Sequence, residues 1–294
     1  MAADLEGASS WGDAWPLPES AIERLLEEDV RYGDLTTRAL GIGGRPGRMC
    51  FLARADMVLS GVDEAARLLA RTGAVIDHRV PAGGRYVPGD RLLEVSGPAA
   101  ALHAGWKVAQ TLMEWASGVA SETRAIVDAA RAANPAIAVL CTRKSVPYTR
   151  QLACKAVVAG GGDIHRLGLS DTILLFPEHR VFLEPPHDLG AAIARLKRSA
   201  PERAIMVEVT SEGDALAAAA HADLIQLEKF SPEAVRRLVD RLPRRADGRP
   251  VIAAAGGITP QNAGAYAKAG ADTLVTSAPF FARPRDIQVN ITSM

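Results

Sequence analysis

Between residues 137 and 276 the chain repeats one alternation, a short apolar run followed by an alanine-rich or charged helical segment. Such a repeat restricts it to a parallel sheet with right-handed helical crossovers. The runs are IAVLCT (137–142), DTILLF (171–176), AIMVEV (204–209), DLIQLE (223–228), VIAAA (251–255) and DTLVT (272–276). Helical segments are predicted over 149–159, 188–198, 212–221, 231–241 and 260–269. Six strands fit a barrel or an open doubly wound sheet. Two features favour the barrel. No G-x-G-x-x-G turn follows the first strand, as a dinucleotide-binding open sheet would usually show. The chemically loaded residues also fall at the C-terminal ends of the runs, the face on which α/β barrels carry their sites.

The N-terminal part reads differently. The first sixteen or so residues are small and polar with little periodicity, the mark of a loose tail. From Glu19 a helix is predicted on Ile22, Leu25, Leu26 and Val30, ended by Tyr32-Gly33-Asp34. Over 47–100 the alternating runs GRMCFLARA and YVPGDRLLEV, broken by Gly and Pro turns, flank a helix from Asp63 to Arg71. That is an α+β unit. A long helix follows from Leu102 to Ala133, expected to be interrupted or kinked near Gly118.

The balance of 34 basic and 34 acidic residues excludes a global field that would recruit nucleic acid or an anionic membrane. Any anion site must therefore be built locally. No apolar run approaches membrane-span length, and the acidic start lacks the pattern of a signal peptide. Cys50, Cys141 and Cys154 show no metal-ligand spacing and suit a reducing compartment, so the expected location is cytoplasmic. Cys141 reads as a small strand-end core residue rather than a reactive thiol.

Three clusters carry chemistry. In VIAAAGGITPQNA a strand runs into Gly256-Gly257, and a helix is expected to open with Thr259 as N-cap and Pro260 at its first position. Glycines let a backbone approach an oxyanion, and Thr276-Ser277 at the next strand's end would add donors; the bland alternative is a tight turn without a ligand. A second cluster, Thr142-Arg143-Lys144-Ser145 with GGGDIHRLGL downstream, would set Arg143, Lys144, His165 and Arg166 around one positive pocket. Here the glycine triple, Gly160 to Gly162, is read as permitting a sharp bend. Glu208 and Glu228 end neighbouring strands in apolar surroundings. They could hold a divalent ion, bind sugar hydroxyls, stabilise positive charge, or form structural ion pairs.

These motifs, taken in order, resemble the quinolinate phosphoribosyltransferases along nearly the whole chain. The matching stretches are LLEEDVRYGDLTT, ASGVAS (116–121), TRKS (142–145), GGGDIHRLGL (160–169), MVEV (206–209), ADLIQLEKFSPE (222–233), AAGGIT (254–259) and the closing DI (286–287). Within the family the chain looks most like the ModD-type pyrophosphorylases of molybdenum-transport operons, through TRKSVPYTRQLACKAVVAGG, HRLGLSDTILLF and EHRVF. The resemblance implies an N-terminal α/β sandwich domain over 17–112 and a C-terminal open (β/α) barrel over 113–284, with the tail 285–294 placed to return to the first domain. It implies a homodimer, or a higher oligomer built from it, in which the active site is shared. It also implies transfer of ribose 5-phosphate from 5-phosphoribosyl 1-diphosphate (PRPP), with Mg²⁺, to a heterocyclic acid, as in NAD biosynthesis, with no nucleic acid or membrane partner. By position, Lys144, Glu208 and Glu228 look like PRPP-side catalytic residues, the two glutamates also meeting the metal through substrate. Arg143, His165 and Arg166 look like acceptor-anion residues. Gly256, Gly257, Thr276 and Ser277 look like a phosphate cradle.

The departures bear on the acceptor. Where the family carries Glu-Arg-Thr, this chain has Trp106-Lys107-Val108, so the cation lent by a neighbouring subunit would be Lys107, a point charge rather than a fork. A family lysine near the second strand's end is replaced by Phe176, and the aspartate before TRK is Cys141. The serine before Gly-Gly is Ala255, and the usual Asp-Asn is Glu228-Lys229. Fewer cations suit a dicarboxylate such as quinolinate poorly, so the expectation is retained PRPP chemistry on another acceptor. The competing reading is a non-catalytic phosphate or oxyanion sensor of the same fold. A lipoyl-like carrier, suggested by YVPGDRLLEV, lacks a lysine at the Val87–Asp90 tip.

Overall fold

The computed structural model describes residues 16–183, 188–243 and 248–294, so the expected N-terminal tail lies almost wholly outside the described residues. The chain divides into two compact units. The first comprises the N-terminal part to Arg124, Ser145–Gly161 and Pro279–Met294; the second comprises Ala125–Lys144 and Gly162–Ala278.

The first unit opens with α1 (Glu19–Val30), which buries Ile22 and Leu26 and ends before Gly33 at φ 76°. A short α2 (Leu35–Ala39) is capped by Asp34, whose carboxylate accepts the Thr37 N–H. Then come β1 (Pro46–Ala53), β2 (Met57–Val58), α3 (Val62–Arg71), β3 (Val75–Arg79), β4 (Arg85–Tyr86) and β5 (Arg91–Pro98). Alternate residues of β1, Met49, Phe51 and Ala53, are buried. They share the core with Leu92, Leu93 and Val95 of β5 and Val62, Ala65, Leu68 and Leu69 of α3. Helix α4 (Ala99–Arg131) follows without a break. The interruption expected near Gly118 is absent. A Cβ there would lie 2.6 Å from the Arg283 carbonyl oxygen, so the glycine serves close approach of the chain's C-terminal segment.

The second unit carries β6 (Ala138–Cys141), β7 (Asp163–Ile164), β8 (Ile173–Leu175) and α6 (Pro177–Arg180). The helix α5 (Arg150–Ala159) between β6 and β7 belongs to the first unit. Next come α7 (Leu189–Ser199), β9 (Ile205–Val209), α8 (Glu212–Ala219), β10 (Leu224–Glu228), α9 (Pro232–Arg241), β11 (Val251–Ala255), α10 (Ala263–Lys268) and β12 (Thr273–Thr276). The seven strands run parallel in the order β7-β6-β12-β11-β10-β9-β8. Because β7 and β8 are both edges, the barrel is open between them. The seventh strand, β7, is only two residues long, too short to show as an apolar run. The last strand, β13 (Ile287–Ser293), pairs antiparallel with β1 and completes the first unit's sheet in the order β13-β1-β5-β3.

The parallel strands have two apolar faces of unequal size. Val139, Val207, Val209, Ile225, Leu227, Ile252 and Leu274 join the large core formed with the helices. The alternate residues Leu140, Ala253, Ala255 and Val275 form a small cluster of their own. Two alanines on alternate positions of β11, Ala253 and Ala255, leave space on that inner face. At the strand starts the carboxylates are consumed structurally: Asp223 accepts the Ile205 N–H at 2.8 Å, and Asp272 grips Arg249 and the Ile252 N–H. At the strand ends Glu208 and Glu228 stand outside ion pairs among the described residues, and Glu208 accepts the Gln226 amide alone. That asymmetry places the chemistry at the C-terminal rim.

Candidate active site

A cavity of about 470 Å³ opens at the C-terminal ends of the second unit's strands. Its wall includes Thr142, Arg143 and Lys144 after β6, His165 and Arg166 after β7, and Phe176 after β8. Glu208 of β9, Gln226 and Glu228 of β10, Gly256 and Gly257 after β11, and Thr276 and Ser277 closing β12 complete it. Eleven sequence positions were expected at a site, and ten of them meet here. The eleventh, Lys107, is not among the lining residues. It is exposed on α4, bonded to Gln110 Oε1 at 3.0 Å and lying 4.4 Å from the Trp106 ring centroid. A second recess of about 730 Å³ shares Lys144, Phe176, Glu208 and Glu228 with the first and adds Glu178, His179 and Thr210.

The glycine turn differs in one respect from its expected form. The helix does not open at Pro260 but at Ala263, with Asn262 as the residue before it. Asn262 explains the delay: its Oδ1 accepts the Thr259 N–H at 2.8 Å, and its Nδ2 donates to the Gly257 carbonyl at 2.9 Å. The Thr259 amide is thus already engaged within the loop. The Thr276 hydroxyl is likewise engaged, donating to the Ile258 carbonyl at 2.8 Å and accepting the Ala278 N–H at 3.0 Å. Thr276 therefore holds the loop together and does not offer its proton to a ligand. The glycines themselves are required. Gly256 and Gly257 stand at φ 87° and 74°, and a Cβ on Gly256 would come within 3.0 Å of both Glu228 Oε1 and the Lys229 amide.

Lys229 also lines the cavity, held at φ 59° with its N–H bonded to the Ala255 carbonyl at 2.9 Å. Four cationic side chains, Arg143, Lys144, Arg166 and Lys229, therefore face two carboxylates, Glu208 and Glu228. This is a local positive pocket in a chain of zero formal charge. Arg166 is buried, with its guanidinium carbon 5.4 Å from the Phe176 ring centroid. Burial and then Arg143 lower its pKa from the ordinary arginine value. Phe176 stacks in turn on His179, with ring centroids 5.7 Å apart and planes at 27°.

Glu208 lies where its surroundings oppose its charge. Burial raises its pKa most; the hydrogen bond from Gln226 opposes this, Glu228 and Glu178 raise it further, and Lys144 lowers it. His165 is pushed down to about 4, by burial first and then by Arg166 and Arg143. Its Nε2 is buried without a hydrogen-bond partner among the described residues. At neutral pH it is an uncharged imidazole beside two guanidinium groups. The unfolded chain takes up a proton near pH 6.5 that the folded chain refuses until about 4, so stability falls as pH drops through that window. His165→Asn is expected to flatten this acid slope by about 3 kcal/mol, read from urea melts between those pH values. An unchanged slope in the variant would show that His165 does not carry it.

No group of three His, Cys, Asp or Glu side chains among the described residues is placed to hold a metal ion. No helix among them is long and apolar enough to cross a membrane. Sequence reasoning did not single out Gln226 as a site residue. The available signal was a polar residue inside the apolar run LIQLE, two positions before Glu228 and so on the same strand face.

Comparison with known proteins identifies the family and the fold. Residues 119–290 match the model of the quinolinate phosphoribosyl transferase C-terminal domain, and residues 34–117 match that of its N-terminal domain. The chain belongs to the quinolinate phosphoribosyl transferase family. It is 49% identical to the ModD protein of Rhodobacter capsulatus, over 86% of this chain and 97% of that protein. Its fold superposes on NadC from Streptococcus pyogenes with a TM-score of 0.85 at 27% identity, covering 94% of this chain and 96% of the other. It superposes on the nicotinate-nucleotide pyrophosphorylase from Francisella tularensis with a TM-score of 0.83 at 24% identity, covering 95% and 98%, a likeness of fold. The family and fold are those of a pentosyltransferase.

Proposed function

We propose that this protein transfers the ribose 5-phosphate group of PRPP to a ring nitrogen of a heterocyclic acid and releases pyrophosphate. The observation that carries this reading is the meeting, in one cavity, of four cations and a double-glycine turn with two strand-end glutamates. The bond from the anomeric carbon to the diphosphate oxygen breaks, its electron pair leaving with pyrophosphate. The ring nitrogen's lone pair forms the new bond to that carbon.

Lys144 would hold the departing negative charge, while Glu208 and Glu228 stabilise the cationic sugar that develops between the two partial bonds. Holding both reactants in one enclosed pocket supplies much of the remaining rate. Mg²⁺ when bound would neutralise diphosphate oxygens. Glu208 and Glu228 would hold it as a minor share of its ligands, since Mg²⁺ takes most of them from phosphate and water. Lys107 acts, on this reading, across the interface of a homodimer.

The acceptor side is defined by Phe176. Where a cation would bind a second carboxylate there is an aromatic wall, backed by Arg166 on one side and His179 on the other. Such a wall takes a flat ring with one carboxylate, bound by the Arg143 and Arg166 guanidiniums, better than a dicarboxylate. A pyrophosphate-release assay with PRPP, Mg²⁺ and a panel of aromatic acids tests both halves. Monocarboxylate heterocycles should exceed quinolinate at least about tenfold in kcat/KM, the ratio set by one poorly paired carboxylate. Quinolinate as the best acceptor would overturn the acceptor assignment. Ligand binding without pyrophosphate release on any acceptor would overturn the transferase reading itself.

A further inference from the structure

The wall of the cavity contains one polar side chain that neither the cationic cluster nor the glutamate pair accounts for. Gln226 sits in the middle of β10, between the fully buried Ile225 and Leu227, and is itself 5% exposed. A buried amide at such a position costs stability unless both its ends are bonded. One end is. Gln226 Nε2 donates to Glu208 Oε2 at 2.6 Å across adjacent parallel strands, where the two residues stand in register. The other end is not. Gln226 Oε1 is buried with no partner among the described residues, although the side chain lines the cavity. The nitrogen must face the carboxylate, since two acceptors would repel, so the orphaned atom is the carbonyl oxygen.

Space beside Gln226 is kept open by sequence. Its register partner on β11 is Ala253, and that of Glu228 is Ala255, so the neighbouring strand presents only methyl groups on this face. An unpaired acceptor thus lies beside the Glu208 carboxylate, in a pocket that Arg143, Lys144, Arg166 and Lys229 also line. A phosphate or carboxylate brings no proton to such a corner and would be repelled by Glu208. Adjacent hydroxyls bring two donors at a spacing that neighbouring acceptors can take.

We infer that Gln226 is a specificity residue that accepts a hydrogen bond from a sugar hydroxyl of the ligand, while its amide nitrogen holds Glu208 in place to accept a second. The ligand class is a polyhydroxylated phosphate ester, read at one wall by charge and at the other by its hydroxyls. The inference rests on the phosphoribosyl reading of the cavity and names the residue that distinguishes the sugar from a bare anion. Glu208, so held, faces Glu228 from the same strand as Gln226, Glu178 from α6 and Lys144 from the loop after β6, with Arg143, His165, Arg166 and Lys229 around the same cavity.

The test compares wild type with Gln226→Met, which keeps length and volume, and with Gln226→Leu should the first fold poorly. Binding of ribose 5-phosphate and of inorganic phosphate is measured by calorimetry, and folding by urea melts. Wild type is expected to prefer ribose 5-phosphate, and Gln226→Met to lose about tenfold of that affinity, one hydrogen bond's worth, with phosphate binding unchanged. The acid limb of the activity profile should also move to higher pH, because the bond that favours the ionised Glu208 is gone. Equal weakening toward both ligands, or no weakening toward either, would overturn the assignment. Wild-type protein that binds neither ligand would instead overturn the phosphoribosyl reading on which it rests.

Discussion

Replacing Glu208 with glutamine is expected to lower pyrophosphate release by about 10²- to 10³-fold, the usual cost of removing one preorganised electrostatic group from a transition state. The fold should lose little. Glu208 forms no ion pair among the described residues; its one hydrogen-bond partner is Gln226, whose amide can reverse to receive the new side chain. A loss of about 1 kcal/mol in a urea melt is the upper expectation for that exchange. Ligand binding should survive, because the cations and the glycine turn are untouched. A glutamine there can still accept a sugar hydroxyl's hydrogen bond, so what the variant loses is the negative charge needed where positive charge develops on the sugar. Burial raises the Glu208 pKa, as do Glu228 and Glu178, and the Gln226 hydrogen bond and Lys144 act in the opposite direction to keep it ionised. Equal fractional losses of activity and stability in Glu208→Gln and Glu208→Ala would mark the carboxylate as a structural element and remove it from the chemistry.

The largest effect on stability is expected at Gly160, in the run GGGDIHRLGL. Gly160 ends α5 in an ordinary helical conformation, φ –72°, so no turn requires glycine there. What requires it is α4. A Cβ on Gly160 would stand 2.5 Å from the Ala120 carbonyl oxygen and 2.5 Å from the Thr123 Cβ, and neither can swing away. Gly160→Ala should therefore cost about 3 kcal/mol, at the upper end for overpacking, because a whole helix must move. Gly161 supplies the control. It does stand at φ 82°, but a Cβ there meets only the end of the Arg124 side chain at 3.1 Å, which can shift. Its substitution by alanine should cost about 1 kcal/mol, the penalty of a left-handed residue. If Gly161→Ala proves the more damaging of the two in thermal or urea unfolding, the close-approach account of Gly160 fails. The bend read into the glycine triple thus belongs to Gly161, and Gly160 answers to packing.

The parallel strands were legible because each is an apolar run ended by a charged or glycine residue, and period and punctuation are local properties. The same holds for the rim of the cavity. Arg143, Lys144, Glu208, Glu228 and Gly256 each follow or end a run, and parallel strands bring all such ends to one face. The two-residue β7 left no pattern to read. Nor did sequence show that Asn262 would take up the Thr259 amide and start α10 at Ala263 rather than Pro260.

By itself, then, the order of residues determined the alternating architecture, the face that carries the chemistry and the family to which the chain belongs. Those properties depend on neighbours along the chain, whose periodicity and turn preferences are written in a few residues at a time. Tertiary structure alone decided that Gly118 admits the Arg283 backbone within an unbroken helix, that His165 is half-buried and neutral beside two arginines, and that Gln226 holds Glu208. Each of these is an interaction between groups distant in sequence, and its energy depends on burial and separation that no local pattern encodes.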